Sequence, residues 1–200
     1  MQSKHTDAIA VMFMGLPGSG KDTQADLLQK ALETSGKVLY IYTGEKLRNA
    51  MRLGTYTARE IKEKVMDVGA KAPDFLAVWA WGQSFIADLE EGQHIILSSS
   101  PRTRMESQFL DDAFSFYGIT RVYPVYLNVA SDEAGRRLKE RGRADDNDET
   151  IAKRLSWFER EVGPAIEYFR TESKNALIEL DGNPRDPQQI HKDLKKAIGL

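Results

Sequence analysis

Residues 15 to 24 read Gly15-Leu16-Pro17-Gly18-Ser19-Gly20-Lys21-Asp22-Thr23-Gln24 and follow the apolar run Ile9-Ala10-Val11-Met12-Phe13-Met14. A segment of helical period begins at the lysine. A buried strand, a glycine-rich turn and a helix start, in that order, make an anion cradle, because backbone N–H groups turn inward at the helix N-terminus. Glycine permits the φ values that such a turn requires. The N–H groups, the positive helix end and the Lys21 ammonium all favour bound phosphate. Three glycines and a lysine between strand and helix are far more specific than a lone Gly-x-Gly.

Downstream of this loop, short apolar runs alternate with helix-period segments, the pattern of βαβ units around a parallel sheet. Strands are predicted at 9–14, 38–42, 94–97, 122–127 and 176–180, and helices at 21–33, 45–53, 58–68, 74–90, 104–117, 131–141 and 148–171, with a last one starting near Asp186. Pro124 suits a strand end or edge better than a central position. Gly163-Pro164 is expected to kink or split the helix predicted at 148–171. About fifty residues separate the second and third strands, more than a crossover needs. The excess predicts a small helical lobe over residues 43–93 at the carboxyl end of the sheet, where open α/β sheets bind ligands. With 200 residues, no repeat and no linker, the chain reads as one domain.

Charge and composition narrow the function classes. The 28 Lys and Arg against 30 Asp and Glu give a net charge of −2, unlike the basic balance of a non-specific nucleic-acid binder. With no cysteine, disulfides and thiolate metal sites are excluded, which fits a reducing compartment. The three histidines are scattered, and no metal site built from protein side chains is expected. No apolar run approaches the ~20 residues that span a membrane, and the N-terminus has no signal-peptide core. The expectation is a cytoplasmic protein, monomeric, with small-molecule partners and neither nucleic acid nor membrane among them.

Four motifs in order resemble the adenylate kinase family of nucleoside monophosphate kinases, in a short-lid form, from about residue 9 to residue 182. The loop at 15–24 is similar to the family's Gly-x-Pro-Gly-x-Gly-Lys-Gly-Thr-Gln except at Asp22. Thr43-Gly44-Glu45-Lys46-Leu47-Arg48 resembles Thr-Gly-Asp-x-Leu-Arg, and Ser98-Ser99-Ser100-Pro101-Arg102-Thr103 keeps the second half of Asp-Gly-Phe-Pro-Arg-Thr. Gly142-Arg143-Ala144-Asp145-Asp146-Asn147, followed by Lys153-Arg154-Leu155, is similar to the family's Gly-Arg-x-Asp-Asp-Asn and Lys-Arg-Leu.

The resemblance implies a three-layer, P-loop NTPase-like α/β fold with a five-stranded parallel sheet, a monophosphate-binding lobe at about 43–93 and a short lid at about 141–147. It implies reversible transfer of the γ-phosphoryl of MgATP to a nucleoside monophosphate, with AMP favoured by Thr43. Mg²⁺ would be the cofactor, held mainly by phosphates and water. Gly18, Ser19, Gly20, Lys21, Asp22 and Thr23 would surround the donor phosphates, with Arg137 and Arg141 reaching them from the lid's base and Asn183 near the donor adenine. Thr43, Ala70, Lys71, Ala72 and Glu106 would line the acceptor base. Arg48 and Arg102 would hold its phosphate, with Arg143 and Arg154 bridging to the transferred group.

Three departures stand out. The family's acidic residue at the end of strand three is Ser98, and the glycine after the loop lysine is Asp22, which raises the expectation that Asp22 takes over the missing acid's work on Mg²⁺. Glu106 stands where the family has Gln, and it accepts but does not donate when ionised. Other readings remain open at this point. One is a kinase for another (deoxy)nucleoside monophosphate, and another is a nucleotide-binding protein with weakened catalysis. Arg136, Arg137 and Arg141 equally suit the solvated face of a helix.

Overall fold

The first strand, β1 (Ile9–Met14), is buried along its whole length, as an apolar run with no alternation requires. The computed structural model describes residues 8–142, 147–183 and 186–200. β1 pairs in parallel with β3 (His94–Ser98) on one side and β4 (Arg121–Asn128) on the other. β2 (Val38–Tyr42) extends the sheet beyond β3 and β5 (Ile178–Asp181) extends it beyond β4, giving the order β2-β3-β1-β4-β5. Connections leave β1 and β3 in opposite directions, so a crevice opens between their carboxyl ends.

Alternate side chains of β1 serve two cores. Val11 and Phe13 pack with Leu28, Ile96 and Leu194, under α1 (Lys21–Leu32) and α9 (Pro187–Ile198). Met12 and Met14 pack with Leu97, Phe85, Phe114 and Phe169, under α4 (Asp74–Asp88), α5 (Arg104–Phe116) and α8 (Phe158–Thr171). Between β2 and β3 lie α2 (Thr43–Met51), α3 (Tyr56–Ile61), a π-helical turn (Lys62–Met66) and α4. Leu47, Ile61, Val65 and Leu76 give these helices a small core of their own. α6 (Ser131–Arg141) and α7 (Asp148–Ser156) complete the elements that bear on the site.

The long helical segment after residue 148 is interrupted, but not at Gly163-Pro164. The break falls at Trp157, between α7 and α8, and Pro164 lies inside α8. Pro164 removes the bond that would reach the Arg160 carbonyl, and Arg160 is exposed, so solvent can satisfy that oxygen and the helix continues. Trp157 is buried and its indole N–H donates to the Gly69 carbonyl at 3.2 Å, a tertiary anchor that sets the break. Pro124 is in an internal strand: it pairs with Met12 of β1, while β5 pairs with β4 only from Val125 onward, so the proline has a strand neighbour on one side alone.

Candidate functional site

The glycine loop leaves β1 with Gly15, Gly18 and Gly20 at φ 151°, 84° and 94°. At Gly18 the backbone lies directly on α6, because a Cβ there would sit 2.4 Å from the Ala134 carbonyl oxygen. Gly20 then caps the start of α1 in the left-handed conformation. The Lys21 ammonium folds over the loop and donates to the Leu16 carbonyl at 3.1 Å.

Lys21, Arg48, Arg102, Arg141 and Arg154 line one cleft at the carboxyl end of the sheet. They arrive from α1, α2, the turn after β3, the end of α6 and α7, so only the tertiary fold assembles them. Arg48 lies over the Tyr42 ring, 5.1 Å from its centre. The Arg102 Nε donates to the Ser99 carbonyl at 2.9 Å, and Ser99 holds a left-handed φ of 69° to present it. Burial lowers the Arg102 guanidinium's pKa from its usual range, and the neighbouring Arg154 lowers it further, while Glu106, Tyr42 and Asp22 oppose the shift. Arginine stays charged even so. Like charges gathered in a concave, partly dry site create a potential suited to a polyanion.

Ser19, Gly20 and Thr23 border a second recess on the far side of the loop, closed by Arg137. Arg137 donates to the Ser19 carbonyl at 3.3 Å, to Gly182 at 2.9 Å and to Asn183 at 3.4 Å, and its Nε meets Glu133 at 2.8 Å. Hydrogen bonds from Arg136 and Arg137 pull the Glu133 carboxyl down to about 2. Asn183 accepts from the Ala130 N–H at 3.0 Å and donates to Asp181.

The remaining predicted residues are placed differently. Ala70 and Ala72 are on the cleft wall, whereas Lys71 pairs with Asp74 at 2.6 Å. Thr43 is buried, and its hydroxyl meets that of Ser100 at 2.8 Å. Glu106 is in the core, not on the wall: Oε2 accepts from the Arg102 N–H at 2.6 Å, and Thr103 caps the Glu106 N–H at 3.2 Å. Burial raises the Glu106 carboxyl's pKa, against the pull of the Arg102 N–H, Ser100 and the Arg102 charge. Arg143 lies outside the described residues, with Ala144, Asp145 and Asp146. Tyr42 and Trp157 also line the cleft, and sequence reasoning missed both. The only signal for Tyr42 was its place at a strand end beside Thr43.

Two of the departures, Ser98 and Asp22, touch. The Ser98 hydroxyl donates to Asp22 Oδ1 at 2.5 Å, joining the end of β3 to the first turn of α1. Burial, with the Asp26 and Asp22 carboxylates nearby, raises the pKa of the adjacent Tyr40 phenol and keeps it protonated. Among the described residues, no three His, Asp or Glu side chains gather to hold a metal.

A parallel sheet with a glycine cradle at its crevice and cations converging on it defines a P-loop nucleotide phosphotransferase. The family model described as Adenylate kinase matches residues 13–174. The chain is 34% identical over 191 residues to Adenylate kinase 1 of Synechocystis sp., covering 96% of this chain and 97% of that protein. It is 31% identical over 195 residues to an adenylate kinase of Thermus thermophilus (96% and 97% covered). It is 30% identical over 188 residues to one of Prochlorococcus marinus (94% and 97% covered). The chain belongs to the adenylate kinase family, and it is a kinase. No helix among the described residues is long and apolar enough to cross a membrane.

Proposed function

We propose that the chain moves the γ-phosphoryl of MgATP reversibly to AMP, giving two ADP. The observation that carries this reading is the convergence of Lys21, Arg48, Arg102, Arg141 and Arg154 on one cleft beside the phosphate loop. Phosphoryl transfer needs no covalent intermediate; it needs two nucleotides in line and positive charge where negative charge spreads.

On this reading the loop N–H groups of residues 18–23 and Lys21 grip the donor phosphates, and Arg137 braces the donor-base loop through Gly182 and Asn183. Arg48 and Arg102 hold the acceptor phosphate. Arg141, Arg154 and Arg143 close on the transferred group. One such guanidinium is worth about 10³-fold, or about 4 kcal/mol of barrier. The helices of residues 43–93 form the acceptor lobe, with the backbone around Ala70, Lys71 and Ala72 facing the base. Glu106 and Thr43 act from behind the wall, by fixing Arg102 and the Ser100 turn. The short lid at 141–147 covers the reacting groups.

Adenylate kinases generally use Mg²⁺ with ATP. The residues present fit that ion: Asp22 and Ser98 supply hard oxygen atoms at the loop. When bound, the ion screens charge on the β- and γ-phosphates. We place the protein in the cytoplasm as a monomer, acting on free nucleotides.

The test incubates the protein with MgATP and, one at a time, AMP, GMP, CMP, UMP and their deoxy forms, and follows diphosphate formation. Turnover with AMP supports the reading. Turnover confined to another monophosphate replaces the acceptor. Binding without turnover makes the chain a nucleotide-binding protein.

A further inference from the structure

We infer that Asp22 is the protein's own hold on the metal of MgATP and that Ser98 is its positioning residue, so that the carboxylate has moved from the end of β3 to the start of α1. The inference rests on the MgATP reading above and deepens it.

Among the described residues lining the cleft, Asp22 is the one carboxylate, set among Lys21, Arg48, Arg102, Arg141 and Arg154. A negative charge in a polyphosphate site works against binding unless a cation arrives with the ligand. Asp22 directly follows the loop lysine. In phosphate loops of the Gly-Lys-Ser/Thr type that position carries a hydroxyl facing the metal, whereas the adenylate kinase family has glycine there. A carboxylate there presents hard oxygen to the same place, either directly or through a metal-bound water.

The Ser98 contact makes the arrangement specific. Ser98 is fully buried at the end of β3, and its hydroxyl donates to Asp22 Oδ1 at 2.5 Å. That bond fixes the carboxylate's rotamer while leaving its charge in place. An acid at position 98 would face Asp22 across the same short distance, and two carboxylates there would repel. One acid and one hydroxyl therefore divide the work, with the acid on the loop.

The experiment measures ATP affinity by calorimetry with and without Mg²⁺, in the wild type, Asp22→Asn, Asp22→Gly, Ser98→Ala and the double variant Asp22→Gly/Ser98→Asp. Binding of Mn²⁺-ATP, read by the electron paramagnetic signal of the ion, gives a second readout independent of turnover. The wild type should favour metal-bound over metal-free ATP, and both Asp22 variants should lose that preference by about ten- to a hundredfold. Metal-free ATP should bind the Asp22 variants more tightly than it binds the wild type. Ser98→Ala should fall between, and the double variant should recover the preference. A ratio unchanged in both Asp22 variants, with ATP still bound, overturns the inference and leaves the kinase reading intact. A wild type that binds neither form of ATP overturns both.

Discussion

Arg137 donates from Nη2 to the Gly182 carbonyl at 2.9 Å, tying α6 to the loop that follows β5. The same side chain reaches the Ser19 carbonyl, so one guanidinium spans the phosphate loop and the strand-end loop. It is held from behind by Glu133. Arg137→Lys keeps the charge but loses the planar fork that meets several carbonyls at once. We expect kcat/KM for ATP to fall by about a hundredfold, mostly in KM, with the acceptor's KM little changed. Steady-state kinetics with each nucleotide varied in turn check the split.

Gly18 is a separate test of the cradle. It combines φ 84° with a would-be Cβ at 2.4 Å from the Ala134 carbonyl and 3.0 Å from Leu138. Gly142 has a similar φ of 62° but, among the described residues, nothing within 4 Å of a would-be Cβ. Gly18→Ala should therefore destabilise by more than about 1 kcal/mol and abolish ATP binding, because the loop must lift off α6. Gly142→Ala should cost only its backbone strain, about 1 kcal/mol. Urea unfolding of both variants separates the clash from the strain.

Arg102 and Arg154 face the same cleft and repel each other in the absence of phosphate. Removing one relieves that repulsion while removing charge that the transferred group needs. Arg154→Met is expected to cut turnover by about 10³-fold. Single-turnover kinetics with both nucleotides saturating check that the loss lies in the transfer step.

His94 sets a pH dependence. Its Nδ1 accepts from the Ile9 N–H at 3.2 Å, and Nε2 faces the Ser35 hydroxyl at 3.4 Å. A proton on Nδ1 would confront that N–H. Burial, aided by Arg121, lowers the folded pKa below 6.5. Burial and Lys195 lower His191 in the same sense. Both groups bind protons more readily unfolded, so their stabilisation is complete above 6.5 and is lost as pH falls through the lowered folded values. Carboxyls with lowered values, such as Glu133 and Glu172, contribute only further down, below 4.5. The urea midpoint should fall between about pH 7.5 and about pH 5.5, and His94→Gln should flatten the decline.

What the sequence made legible follows from short-range physics. Ile9 to Met14 is apolar without alternation, so a buried parallel strand was readable before any pairing was known. The glycines and Lys21 between that strand and a helix announced the cradle. Arg48, Arg102 and Arg154 were readable through their motifs, yet their convergence is a property of the fold. Trp157 escaped because its helix break comes from an anchor on Gly69, 88 residues away, whereas Gly163-Pro164 carried a local signal that an exposed Arg160 carbonyl makes harmless. Glu106 was legible as a departure from the family's glutamine, but its burial depends on how the turn at Arg102 closes. Ser98 and Asp22 stood out singly, and nothing in the spacing of 76 residues says that they meet.

The central claim is that the cleft passes a phosphoryl group between two nucleotides. The direct measurement follows ATP labelled at the γ-phosphorus, incubated with Mg²⁺, AMP and the protein. The account predicts label in the β-phosphate of newly formed ADP, and a severe loss of that transfer in Lys21→Met. Label that stays on ATP, or that passes to inorganic phosphate while both nucleotides bind, would contradict it.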